Sequence, residues 1–132
     1  MPAQPQSTDP HPSPRPLLSS TQMRAETQKC HGCLDGACHR GCPVGVDAGA
    51  FIRRLRTDNI AGALAAILNQ NPLPETTALV CPAEQLCQAD CANKHWGQAV
   101  QVCLLQRYAA HHGRGQLRRA RPAIDTDRKS VV

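Results

Sequence analysis

Apolar side chains recur with the period of an α-helix in the middle of the chain. The first stripe begins beside Asp47, a residue type that often caps the N-terminus of a helix. Its apolar residues share one face: Val46, Ala50, Phe51 and Leu55. The arginines between them mostly face away, and we expect them to be solvated: Arg53, Arg54 and Arg56. The pattern predicts an amphipathic helix that begins near residue 47.

A second stripe predicts another helix shortly afterwards. Its apolar residues recur at helical spacing: Ile60, Leu64, Ile67 and Leu68. Asp58 stands where an N-cap is expected. The prolines of Asn71-Pro72-Leu73-Pro74 should end this helix, because proline cannot continue the backbone hydrogen bonding. Further on, Cys87 and Cys91 are four residues apart and would share a face on a helix.

The last predicted helix covers residues 99–111 and follows a connection around Trp96 and Gly97. One of its faces is apolar except for Gln106. A buried amide needs a hydrogen-bonding or ligating partner, since an unpaired polar group costs about 1–3 kcal/mol. Gln106 is therefore a candidate functional residue.

The most informative motif of the chain is a run of cysteines with the spacing C-x2-C-x4-C-x3-C-P. The run consists of Cys30, Cys33, Cys38 and Cys42, and a sparser second set consists of Cys81, Cys87 and Cys91. Each set contains a Cys-Pro pair. Bacterial two-cluster ferredoxins have a dense run ending in Cys-Pro, whose last cysteine ligates the other cluster. By analogy, the first three thiols of the run would hold one iron–sulfur cluster, and the fourth would reach a second.

Two other interpretations of these cysteines stay open. Zinc sites usually use two C-x2-C pairs or cysteines with histidines, and only Cys30 and Cys33 form such a pair. A disulfide framework needs an oxidising compartment. The dense run also contains His31 and His39, which are candidate ligands, although a histidine in such a loop is more often solvated or donates a hydrogen bond to a metal ligand.

Composition indicates one small domain with few aromatic residues. The 132 residues include one Phe, one Trp and one Tyr, and small domains with thin cores often need a metal to fold. No stretch is apolar for long enough to span a bilayer, and the N-terminus lacks the apolar core of a secretory signal. Eight cysteines without such a signal indicate the reducing cytoplasm and metal ligation.

The two ends of the chain differ from its middle. Residues 1–20 are rich in proline and polar residues, and we expect them to be disordered. A short helical turn should begin near Thr21 and lead into Cys30. Residues 113–132 contain six Lys/Arg and two Asp/Glu, whereas residues 1–112 contain nine and eight, so most of the net charge of +5 lies in the C-terminal tail. We expect a folded domain at 21–112 and a basic linker at 113–132.

Together these motifs resemble the N-terminal di-cluster domain of the glutamate synthase small subunit and of dihydropyrimidine dehydrogenase. The resemblance extends from about residue 21 to residue 111. It is carried by Cys30-x2-Cys33-x4-Cys38-x3-Cys42-Pro-Val, Asp47 to Phe51-Ile52, Gly62-Ala63-Leu64, Asn71-Pro72-Leu73-Pro74, Val80-Cys81-Pro82-x4-Cys87-x3-Cys91 and Leu105-Gln106-Arg107-Tyr108.

The resemblance implies an all-α fold, a small alpha-helical ferredoxin-like domain with two 4Fe-4S clusters. It assigns the first cluster to Cys30, Cys33, Cys38 and Cys91, and the second to Cys42, Cys81, Cys87 and Gln106. The seven thiols and one amide match the roughly eight ligands that two such clusters need. Cys103 departs from the family, which usually has a small residue such as Gly at this position. We expect a small buried side chain there and keep it as a reserve candidate ligand.

In the resembled family this domain catalyses no bond chemistry. It relays single electrons between an FAD domain that reacts with NAD(P)H, in cis or in trans, and a partner that carries a second flavin. We therefore expect an electron-transfer part of an NAD(P)H-dependent oxidoreductase, not catalytic alone, and no membrane or nucleic-acid partner. The alternatives are a zinc-stabilised protein-interaction module and a nucleic-acid binder, which the few aromatic stacking platforms disfavour.

The chain ends in Asp127-Arg128-Lys129-Ser130-Val131-Val132. A polar lead-in followed by β-branched residues is typical of the start of a buried strand. In the resembled family, the flavin domain begins at this point. We therefore expect the chain to be a fragment or split half of a larger flavoprotein that by itself binds neither FAD nor NAD(P)H. A stand-alone subunit is the alternative.

Overall fold

The computed structural model describes residues 15–120, with side chains up to residue 118, and this part of the chain is helical without a strand. Its α-helices are α1 (Ser20–Gln28), α2 (Ala37–Arg40), α3 (Ala48–Arg56), α4 (Ile60–Leu68), α5 (Pro74–Val80) and α6 (Val102–Ala120). Two 3-10 turns, Ala83–Gln85 and Ala92–His95, lie between α5 and α6. The predicted all-α class is confirmed. The expectations for residues 1–14 and 121–132, including the strand at Val131-Val132, lie outside the described residues.

Side chains cap the starts of α3 and α4. Asp47 Oδ1 accepts a hydrogen bond from the N–H of Ala50 at 2.9 Å, which confirms Asp47 as an N-cap. The cap of α4 is Asn59, whose Oδ1 accepts from the N–H of Gly62 at 2.8 Å, so the prediction of Asp58 was wrong. Asp58 instead turns the chain between the two helices with a φ of 58°, a conformation that Asp tolerates better than most residues.

Helices α3, α4 and α6 enclose the apolar core, with α5 packed on α6 and α1 on α3. Phe51, Leu55, Ile67 and Leu105 are fully buried, and each buried side chain of this size contributes about 1.5–3 kcal/mol. The predicted stripes therefore mark the core correctly. Leu68 is an exception, because it is exposed at the end of α4.

Helix α6 is longer at its C-terminus than predicted and starts later. It begins at Val102 and continues through Gly113 and Gly115 to Ala120, so the expected linker was wrong for residues 113–120. A Cβ at Gly113 would lie 2.9 Å from the Cβ of Leu64 and 3.1 Å from the carbonyl oxygen of Ile60. Glycine therefore lets α6 cross α4 closely, and this packing offsets the poor helix propensity of glycine.

The second cysteine set lies in turns rather than on an α-helix. Cys87 and Cys91 fall between the two 3-10 turns, so the expectation of a shared helical face was wrong. Backbone hydrogen bonds from Gln88 N–H to Ala83 O (2.8 Å) and from Cys91 N–H to Gln88 O (3.3 Å) hold these turns. A spacing of four residues fits one helical turn, but it does not exclude two successive tight turns.

The first helix begins inside the segment that was predicted to be disordered. Ser19 and Gln22 form a capping box, with hydrogen bonds of 3.2 Å from Gln22 N–H to Ser19 Oγ and 2.9 Å from Ser19 N–H to Gln22 Oε1. Ser19 and Arg15, which bonds to the carbonyls of Ala78 and Cys81, therefore make defined contacts within the segment that was expected to be disordered. None of the described helices is both long and apolar enough to cross a membrane.

Candidate metal centres

The dense cysteine run borders a cavity, which we call the first site. Its thiols come from Cys30, Cys33 and Cys38 in the run and from Cys91 in the second set. The cavity has a volume of about 90 Å³, several times the roughly 10–15 Å³ that one water molecule needs. The structure thus gathers around one cavity the four cysteines that the sequence resemblance assigned to the first cluster.

Arg56 fastens the start of the dense run to α3. Its guanidinium donates hydrogen bonds to the carbonyl oxygens of Thr27 at 2.6 Å and Cys30 at 2.7 Å. Arg53 and Arg54 are exposed as expected, but Arg56 is half-buried, so its prediction as a solvated residue was wrong. The helical periodicity missed this role because the loop that Arg56 holds is distant in sequence.

The two histidines of the dense run are exposed, and His31 links two segments of the first site. Its Nε2 is hydrogen-bonded to Asn93 Oδ1 at 3.0 Å, which joins the dense run to the turn that follows Cys91. His39 lies on α2 beside Cys38 and also borders the cavity. These positions agree with a supporting role for His31 around the thiols.

A second cavity lies between α5, α6 and the turns that connect them, and we call it the second site. Its donor groups are Cys42, Cys81, Cys87, Cys103 and Gln106. Its volume is about 290 Å³, again far above the roughly 10–15 Å³ required by one water. Cys38 borders both cavities, so the two sites are neighbours.

Gly41 brings the dense run to the second site. A Cβ at this position would lie 2.9 Å from the carbonyl oxygen of Leu86 and 3.1 Å from that of Ala37. Any other residue would push the dense run away from the turn that contains Leu86, because a backbone oxygen cannot move aside as the end of a flexible side chain can. The glycine therefore allows Cys42, the next residue, to reach the cavity that Cys81 and Cys87 line.

The amide of Gln106 is oriented by two hydrogen bonds. Its Nε2 donates to the carbonyl oxygen of Pro74 at 2.8 Å and to Oγ1 of Thr77 at 2.9 Å. A backbone carbonyl can only accept, so the atom facing Pro74 must be the nitrogen. Asn71 Nδ2 donates to the same Thr77 hydroxyl at 2.7 Å and reinforces the arrangement. Both amide donors are thereby used, which leaves the Gln106 oxygen as the group to act as an acceptor or ligand.

The thiols of the second site are the more deeply buried. Burial, followed by the nearby thiols of Cys103, Cys81 and Cys42, raises the pKa of Cys87 to about 12. In the first site burial, with Cys30 and Cys91 adding to it, raises the pKa of Cys38. Thiolates crowded in this way are stable only beside a cation, and a coordinating metal deprotonates the thiol outright.

Cys103 is buried on α6 as expected, but it also lines the second site. Burial raises its pKa to about 11, while the guanidinium of Arg15 acts in the opposite direction. The neighbouring thiol of Cys81 also raises this pKa. Because Cys103 and Gln106 are three residues apart on one helix, they share the face that borders the cavity.

Arg15 is a site-bordering residue that the sequence reasoning missed. Its guanidinium donates hydrogen bonds to the carbonyl oxygens of Ala78 and Cys81, each at 2.8 Å. It also lies 3.6 Å from a carboxylate oxygen of Glu84. Nothing in its proline-rich surroundings distinguishes this arginine from a solvated one, so only the folded chain identifies it.

The two cavities and their donors fit iron–sulfur clusters. Thiolates are soft anionic ligands, and each iron of a 4Fe-4S cluster takes one protein ligand. The ligands therefore surround a larger object than a single ion. Among the described residues, no three His, Cys, Asp or Glu side chains converge closely enough to hold one metal ion.

Comparison with known proteins provides evidence that is independent of this geometry. The family described as dihydropyrimidine dehydrogenase domain II, 4Fe-4S cluster, matches residues 13–117. The chain is 34% identical over 93 residues to the NAD-dependent dihydropyrimidine dehydrogenase subunit PreT of Escherichia coli, which covers 70% of this chain and 23% of that protein. It is 36% identical over 83 residues to the PreT homolog of Salmonella typhi, covering 63% of this chain and 20% of the homolog.

The chain thus spans less than a quarter of the length of these relatives. The family match, in contrast, covers most of the chain and includes every cysteine of the two sets. It also includes both α5 and the part of α6 that border the second site. A 4Fe-4S domain in this family implies electron transfer as its role. The chain belongs to the family of dihydropyrimidine dehydrogenase domain II, the 4Fe-4S cluster domain.

Proposed function

We propose that the domain holds two 4Fe-4S clusters and relays single electrons through them. The first would be ligated by Cys30, Cys33, Cys38 and Cys91. The second would be ligated by Cys42, Cys81, Cys87 and Gln106. The observation that carries the proposal is the presence of two adjacent cavities that are both rich in thiols and share Cys38 between them.

The residues of the chain would hold the clusters and set their properties. When bound, each cluster would supply a site that gains and loses one electron at a time. The lining of the second site is mostly apolar, whereas the first site lies in an exposed loop. A neutral Gln106 in place of a thiolate would make the second cluster one unit less negative, which favours its reduction.

The larger context of this relay follows from the relatives. Two of them are described as a subunit of an NAD-dependent dihydropyrimidine dehydrogenase or its homolog, and each is several times longer than this chain. We infer that the domain works beside a flavin domain, in cis or in trans, which holds FAD and reacts with NAD(P)H. The electrons would pass between that domain and a partner with a second flavin. The domain would not be catalytic alone, and a cytoplasmic location fits its free thiols.

Metal analysis of the chain tests this proposal. Anaerobic protein reconstituted with iron and sulfide should reach about eight irons per chain, with matching acid-labile sulfide. A plateau at about four irons would remove one cluster. Zinc bound without iron or sulfide would instead support a zinc-stabilised interaction module.

The transfer of electrons needs a second experiment. The reconstituted domain should be reduced by an NAD(P)H-oxidising flavoprotein and should pass electrons to an oxidised flavin. The cluster-deficient reference is the Cys38→Ala, Cys87→Ala double variant, which lacks one ligand from each site. Full reduction of the acceptor flavin by this reference would contradict a relay through the clusters.

A further inference from the structure

Arg15 is not a candidate metal ligand, yet it contacts the backbone next to the second site. Its two terminal nitrogens donate to two different carbonyl oxygens, those of Ala78 and Cys81, more than sixty residues away in sequence. Its side chain is 24% exposed. A planar guanidinium is suited to hold two acceptors at once, and lysine cannot reproduce such a fork. Arg15 is therefore fixed to the segment that leads into the second site.

The two carbonyls lie where α5 ends. Ala78 belongs to the last turn of the helix, and Cys81 is its C-cap residue, with its own N–H bonded to the oxygen of Thr77 at 2.9 Å. Carbonyls at a helix C-terminus have no partner within the helix, and a cation near them is favourable. Arg15 supplies both the donors and the cation. It thereby fixes the backbone that carries the Cys81 thiol.

The positive charge of Arg15 also lies beside the second site. One of its terminal nitrogens lies 2.8 Å from the carbonyl oxygen of Cys81, a residue that lines that cavity. Within the described part of the chain it forms an ion pair with Glu84, whose carboxylate is 3.6 Å away and whose side chain is 66% exposed. Because water screens an exposed carboxylate more than a half-buried guanidinium, we expect a net positive field at the second cavity.

We propose that Arg15 is a positioning residue for the second cluster. It holds Cys81 in place, and it raises the reduction potential of that cluster above the potential that the cluster would have without this arginine. The proposal rests on the two-cluster function argued above. A reduced cluster carries one more negative charge, so a nearby cation favours reduction. The first site lies outside the contacts of Arg15, and its potential should not depend on this residue.

Three variants separate the two effects of Arg15. Arg15→Gln removes both the positive charge and the paired hydrogen bonds of the guanidinium. Arg15→Lys keeps the charge but cannot form the two hydrogen bonds together. Arg24→Gln is the matched control, because it removes an exposed arginine paired with Asp58 and leaves the residues of both cavities untouched. Each reconstituted protein is titrated anaerobically with EPR detection, and amide exchange is measured for residues 78–81.

We expect Arg15→Gln to lower the potential of the second cluster and leave the first unchanged. Amide exchange at 78–81 should become roughly three- to tenfold faster in both Arg15 variants, as expected for the loss of a hydrogen bond. Arg15→Lys should keep most of the potential, and Arg24→Gln should change neither quantity.

Equal shifts of both clusters, or equal effects of Arg15→Gln and Arg24→Gln, would overturn the proposal. Unchanged exchange and unchanged potentials in Arg15→Gln would overturn it as well. A plateau of about four irons in the unsubstituted protein would refute the two-cluster function instead. In that case, the exchange at residues 78–81 in the reconstituted protein still decides whether Arg15 holds Cys81.

Discussion

The two candidate sites use similar donors but are built in different ways. Three of the four thiols in the first site come from nine consecutive residues, and Cys33 among them is exposed. The second site collects its donors from the end of the dense run, the C-cap of α5, a turn and α6. Cys87, Cys103 and Gln106 in this site are all buried. The first site is therefore largely local, whereas the second exists only when distant segments meet.

The first site is thus a loop that can wrap around a cluster, whereas the second site is part of the folded core. The second site is fastened by contacts of long sequence separation, from Arg15 to Cys81 and from Gln106 to Pro74. The first site depends more on the Arg56 contact with the loop. Loss of a donor should thus affect the fold more when the donor comes from the second site, because buried groups lose their partners.

The largest expected effect is the loss of tertiary structure when both sites are emptied. We expect the Cys38→Ala, Cys87→Ala variant, prepared without metal, to lose most of its amide protection, because folding and metal binding are coupled when ligands are scattered and the core is thin. Protection should fall most around α5 and the turns of the second site. Hydrogen exchange followed by mass spectrometry measures it, and native-like protection in this variant would contradict the coupling.

An intermediate effect should distinguish the two sites by their ligands. Gln106→Leu removes the amide oxygen from the second site, so iron should fall from about eight to about four per chain while the EPR signal of the first cluster is retained. Gln116→Leu is the control on the exposed face of α6. Full iron content with unchanged EPR spectra in Gln106→Leu would mean that Gln106 is not a ligand, and Cys103 would be the next position to test.

The smallest expected effect concerns the eighth cysteine. In the reconstituted protein, Cys103 should be the one thiol free to react with an alkylating reagent. Since burial raises its pKa from 9.0 to about 11, the reactive thiolate is about a hundredfold rarer than in the unfolded chain at neutral pH. Labelling should therefore be slow and should speed up about tenfold per pH unit until the pH approaches the pKa.

Mass spectrometry of the labelled peptides checks this prediction across pH. The unfolded protein, in which all cysteines react, is the reference. Labelling of Cys103 as fast as in that reference would mean that the thiol is not buried. Labelling of a different cysteine in the fully loaded protein would mean that one of the assigned thiols is not a ligand.

Local patterns predicted the helical class well, and the assignment of the donors stays a prediction. The apolar stripe around Phe51 and the cap at Asp47 depend on neighbouring residues, and both were predicted correctly. The errors arose where one local sequence pattern is compatible with two different structures. Cys87 and Cys91 have helical spacing but lie in turns, and Gly113 has the composition of a linker but lies in a helix–helix contact.

By itself, the sequence determined the helical class and the thiol-rich chemistry, because helix periodicity and cysteine spacing are properties of short segments. Only the tertiary structure brought Arg15 to the Cys81 carbonyl, turned the Gln106 nitrogen toward Pro74 and brought Cys103 to the second cavity. The contacts of Arg15 and Gln106 join residues far apart in the chain, and the Gln106 contact forms where α5 and α6 pack against each other. No spacing rule encodes such contacts, since their geometry depends on how buried surfaces fit together.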